Sequence, residues 1–146
     1  MTMSFQKDIL IRIVKAIIGV AALTIGGLIY IRYRNENLLM FDWFHGLGLT
    51  EQIEDFRNNT EMPSVYGWVK YNIPAGLWLF AYMFVIDSIW GEDKNNVYLY
   101  FLFFLPLLAL ASELMQYFGM LPGTFDLMDL LSYVSSIFLC IIINKV

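Results

Sequence analysis

The chain has 146 residues, room for one domain, and 59% are hydrophobic, 17% aromatic and only 15% charged. With a mean hydropathy of +0.62, this composition excludes an ordinary water-soluble protein. A net charge of −4 with nine scattered Lys and Arg excludes a nucleic-acid partner, which needs a basic stripe, and the single cysteine, Cys140, excludes an internal disulfide or a thiolate metal site.

Lys7, Arg12 and Lys15 stand ahead of the apolar run Ala16 to Ile31. A signal peptide starts in the same way, but Tyr30-Ile-Arg-Tyr-Arg34 occupies the place of a small-residue cleavage site, so a retained anchor helix is expected over roughly 10–31. Within it Gly19, Ala22 and Gly26 are spaced to let another helix approach closely, from the same chain or from a second copy. The long connection 32–73 follows. Residues 38–57 in it mix apolar side chains with acids, which predicts an interfacial helix lying on the membrane, and His45, between Phe44 and Gly46, reads as a loop histidine.

Pro74 opens a short second span over 74–90, and Gly91-Glu-Asp-Lys-Asn-Asn96 closes it. Asp87, three residues before Trp90, is expected at the interface. A third span over 97–118 contains Pro106, a kink that neighbouring helices can tolerate, and a fourth runs over 127–144. Trp43, Trp68, Trp78 and Trp90 fall near span ends as an aromatic belt does. The fold expected is therefore all-α: a single membrane domain, 1–146, of four transmembrane helices with one long interfacial loop.

Four crossings place both termini on one side, and the long loop and the 119–124 turn on the other. Lys7, Arg12, Lys15, Lys94 and Lys145 lie on the first side against Arg32, Arg34, Arg57 and Lys70 on the second. This bias orients the termini toward the cytoplasm of a cell membrane.

The polar residues of the last two spans carry the functional argument. Glu113 and Gln116 share one helix face, and Asp126, Asp129 and Tyr133 share another. At about 1.5 Å per residue, Glu113 and Asp129 both lie roughly 7 to 9 Å below the turn. Facing each other, these stripes form an acidic pocket opening toward the long loop. Two close carboxylates need a proton, a cation or a basic partner, and Arg32, Arg34, Arg57, Lys70 and His45 lie on the facing loop, with Arg57 or another loop cation as the partner. Structural roles compete with this reading: Asp126 as the N-cap of the fourth span with Asp129 in its first turn, and Glu113 in an interhelix hydrogen bond. The chain has no Ser-His-Asp arrangement, phosphate loop, His pair or Cys cluster, so no metal or cofactor is expected, and any enzymatic reading rests on acids alone.

Ser112-Glu-Leu-Met-Gln116 and Phe125-Asp-Leu-Met-Asp129 resemble the VanZ-like family of small multi-span proteins, whose pattern is Glu-x-x-Gln near the end of one span and Asp-x-x-Asp opening the next. The likeness covers about the last 50 residues. That family commonly has an Arg shortly before the first Asp, where this chain has Gly123-Thr124, and an Asn where it has Tyr133. The resemblance implies a binding or accessory component of the bacterial cell envelope, with Glu113, Gln116, Asp126 and Asp129 lining its pocket. Membrane lipids, a partner membrane protein or a second copy are the partners expected. Two other classes are compatible with intramembrane acids: an oligomeric pore built on the Gly19 to Gly26 seam, and an intramembrane enzyme on a lipid-linked envelope precursor with Glu113 as acid or base.

Overall fold

A computed structural model describes residues 2–59 and 66–144. Lys145, part of the charge bias, and residues 60–65 of the long loop lie outside the described residues. Seven helices and no strand make up the described chain: α1 (Thr2–Tyr33), α2 (Leu39–Gly46), α3 (Thr50–Asn59), α4 (Gly67–Tyr71), α5 (Ile73–Trp90), α6 (Asn96–Tyr117) and α7 (Leu127–Asn144). Four of them, α1, α5, α6 and α7, are long and apolar enough to cross a membrane. The expected all-α membrane bundle is thus present.

The first span is longer than expected, beginning at Phe5, because nothing in residues 5–15 breaks a helix and Arg12 and Lys15 are used in packing against the end of α5. The single interfacial helix expected over 38–57 is instead two. Gly48 adopts φ +71°, a left-handed conformation that costs side-chain-bearing residues about 1 to 2 kcal/mol. Around it the Leu47 and Leu49 N–H groups turn back to the Trp43 and Phe44 carbonyls, ending α2 before α3 begins.

The second span is the centre of the bundle. Its share buried inside the protein is 44%, against 17%, 22% and 17% for α1, α6 and α7, and it touches α1, α4, α6 and α7. Small residues set these approaches. A Cβ on Gly19 would stand 3.0 Å from Val85 and 3.1 Å from the Ala81 carbonyl, and one on Gly26 would stand 2.9 Å from the Trp78 ring. Gly76 does the same on the other side of α5, where the Ser136 hydroxyl donates to the Gly76 carbonyl at 2.7 Å. The glycine seam of α1 is therefore filled by α5 of the same chain. Met83, Phe84, Tyr98, Leu102 and Cys140 form the buried apolar core between α5, α6 and α7.

Asp87 is not at an open interface. It is wholly buried (0% exposed), paired with Lys15 and at 3.5 Å with Lys94, and it accepts a 2.7 Å hydrogen bond from the Tyr98 hydroxyl. Proximity to a helix end suggested an interface, but side chains from α1, the 91–95 turn and α6 converge there and seal it. A buried carboxylate survives only with such compensation. Lys15 and Lys94 keep 20% and 30% of their side chains exposed, reaching outward by their long stems. Beside them Arg12 donates to the Ser88 and Ile89 carbonyls, closing the end of α5.

Candidate functional site

Three elements meet at the opposite end of the bundle: the turn into α5, the end of α6 and the start of α7. Helix α6 stops where Gly119 takes φ +68° and the Met120 N–H reaches back to the Met115 carbonyl at 2.8 Å, a glycine-terminated C-cap. Gly123, at φ +132°, leaves room for Gln116, whose amide would stand 2.9 Å from a Cβ there. Gln116 thereby shapes the turn that delivers Asp126. Asp126 is the N-cap of α7, its Oδ1 accepting the Met128 N–H at 2.8 Å. The capping role weighed for Asp126 is real, and it leaves Oδ2 for another partner.

That partner is Asn72, a residue not singled out from the sequence. Its amide nitrogen donates to Asp126 Oδ2 at 2.9 Å and to Asp129 Oδ1 at 3.0 Å, so one NH2 group bridges two carboxylates. Glu113 faces the same corner and accepts the Asp126 N–H on Oε2 at 3.3 Å. Asn72 is 3% and Glu113 5% exposed. Glu113, Asp126 and Asp129 are thus brought together as expected, on the side of the long loop. Among the described residues no group of His, Cys, Asp and Glu is arranged to hold a metal ion.

Arg57 does not meet the acids. Its guanidinium donates to the carbonyls of Ile31 and Arg34, pairs with Glu36 at 3.0 Å and stands over the Phe41 ring. The reason is geometric: α3 packs against the end of α1, where free carbonyls accept its N–H groups. His45 is engaged with Thr50 at 3.2 Å, and Lys70 stands over the Tyr33 ring. Arg34 is the loop cation that does come near. It lines, with Asp129, Tyr133, Trp78, Leu105 and Ala109 among others, a cavity of about 330 Å3 between α1, α5, α6 and α7. Its Nη2 donates to the Tyr71 carbonyl at 3.1 Å, and its guanidinium carbon lies 5.4 Å from the Tyr30 ring centre and 5.2 Å from that of Tyr71.

The site is therefore a carboxylate cluster held by backbone N–H groups and one amide, beside an aromatic-walled cavity that also exposes a guanidinium. Asn72 carried one signal in the sequence, its place just ahead of the helix-opening Pro74; nothing linked it to residues 54 and 57 positions further on. Compared with family models, with curated proteins and with solved structures, the chain finds no match.

Proposed function

We propose that this multi-pass membrane protein is a VanZ-like binding or accessory component of the bacterial cell envelope, holding its ligand in the polar pocket at the long-loop end. The observation that carries this reading is the gathering of Glu113, Asp126 and Asp129 around Asn72 beside the 330 Å3 cavity. Carboxylates near membrane depth are costly and recur where they serve a site. The cavity, apolar with a few convergent polar groups, is of the kind that binds small ligands.

The test is genetic. A bacterium lacking its own copy of the gene is complemented with the full chain, and susceptibility to glycopeptides and other envelope-directed antibiotics is measured. The wild-type chain should change susceptibility, and Glu113→Gln and Asp129→Asn should lose that effect at equal membrane levels. Full activity of both variants would remove the pocket from the reading; no effect of the wild-type chain would remove the envelope role.

A homo-oligomeric pore loses one of its supports, since α5 occupies the glycine seam that would have joined copies. The enzymatic alternative is little favoured, because Glu113 is turned to a backbone N–H of the neighbouring turn.

A further inference from the structure

The 330 Å3 cavity brings two opposite charges to one space without joining them. Arg34 enters from the end of α1 and Asp129 from the first turn of α7, and both line the cavity. Among the described residues the two attract each other across the space without a direct salt bridge, and Arg34 spends its Nη2 on the Tyr71 carbonyl. The Arg34 Nε–H is buried with no acceptor. Asp129 accepts from Asn72 on Oδ1, and Tyr133 lines the same wall one turn further along α7. Most of the remaining wall is apolar, with Leu105 and Ala109 from α6.

Opposite charges held apart in a low-dielectric space are costly, and a pocket that keeps one of each sign is complementary to a ligand carrying both. A bare anion there would face Asp129 with Asp126 and Glu113 behind it. A bare cation would face Arg34. We propose that the cavity takes a small zwitterion, its ammonium on Asp129 and its anionic oxo group, phosphate or carboxylate, on Arg34. The proposal deepens the functional reading above and rests on it. Two sources supply this chemistry, the headgroup of an aminophospholipid and a free zwitterion from the water. The second would approach from the long-loop side, where Arg34 and Tyr71 also line a polar cavity of about 520 Å3 with residues 33–38 and Arg57.

The experiment uses the full chain purified in a nonionic detergent, with binding followed by tryptophan fluorescence, since Trp78 lines the cavity, and by thermal unfolding. Five probes are titrated: dihexanoyl-phosphatidylethanolamine, glycerophosphoethanolamine, glycine, ethanolamine and inorganic phosphate. At least one of the three zwitterions should bind about tenfold or more tightly than ethanolamine or phosphate. Arg34→Gln and Asp129→Asn should each weaken that binding about tenfold to a hundredfold, the range for losing a hydrogen bond to a charged group. Tyr133→Phe, which removes only a hydroxyl, should weaken it a fewfold, and Glu92→Gln at the far end should leave it unchanged. Binding of the short-chain lipid alone assigns the site to a membrane headgroup; equal binding of a soluble zwitterion assigns it to the water side.

Phosphate or ethanolamine binding as tightly as the zwitterions would overturn the proposal, as would unchanged binding in Arg34→Gln. Should that variant fail to fold, the ranking of the five probes on the wild-type chain decides. If no zwitterion binds, the proposal falls, while the susceptibility phenotype of Glu113→Gln and Asp129→Asn decides separately whether the broader reading stands.

Discussion

Asn72 holds two carboxylates with one amide group, and the arrangement has little redundancy. Removing the amide strands Asp126 and Asp129 next to each other in a place where Asn72 itself is almost fully buried. Asn72→Ala should therefore lower stability in detergent by about 1.5 to 3 kcal/mol, the usual worth of a hydrogen bond to a charged group. Adding Asp129→Asn to that variant should restore part of the loss by removing one of the two like charges. Thermal unfolding of the single and double variants measures both effects, and simple additivity would show that Asn72 and Asp129 do not communicate. The acids of this corner were legible in the sequence because helical spacing and a short turn place Glu113, Asp126 and Asp129 by local rules. Asn72 and Arg34 were not so legible. Their positions depend on where the long connection 32–73 returns to the bundle, and no periodicity encodes that.

At the scale of helices, packing around α5 turns on a few absent side chains. Gly26 and Gly27 are neighbours with opposite surroundings: a Cβ on Gly26 would press into the Trp78 ring, while one on Gly27 meets nothing within 4 Å. Gly26→Ala should cost about 1 to 3 kcal/mol by overpacking, whereas Gly27→Ala should be neutral or stabilising by up to about 1 kcal/mol through helix propensity. Equal effects in unfolding measurements would refute the assignment of the seam to α5. The four spans could be read from apolar length, and the ends of the last three differ little from expectation, while the first starts earlier. Less visible was the break between α2 and α3, since Gly48 acts through a left-handed turn inside a stretch whose composition alone suggests one surface helix.

For the whole molecule, the Asn72 to Asp126 contact ties the long-loop end of α5 to the start of α7, as four crossings require. The Lys94 ammonium donates to the Asn144 carbonyl and does the same at the other end. Single cysteines placed at Leu47 and Met120, both exposed, should react with a membrane-impermeant maleimide from one side. A cysteine at Glu92 should react only from the opposite side, which the basic bias proposes as the cytoplasm. Cys140, wholly buried, should stay silent. Labelling of Leu47→Cys and Met120→Cys from different sides would break the four-span topology.

The Lys15 to Asp87 pair also has a consequence in time. Among the four spans α5 has the lowest mean hydropathy, 1.5 against 1.9 to 2.1, and Asp87 is an added burden when it leaves the ribosome. Its first partner is already waiting, because Lys15 lies 72 residues earlier in α1, and Lys94 and Tyr98 emerge only afterwards. Helix α1 is thus placed to receive α5 during synthesis, before α6 and α7 exist, a role that the following experiment tests. Lys15→Ala should reduce integration of α5 in a chain truncated after residue 93, scored with a glycosylation tag in microsomes, and should matter less for the full chain, where Lys94 is present. Undiminished integration of the truncated variant would mean that α5 enters the membrane without help.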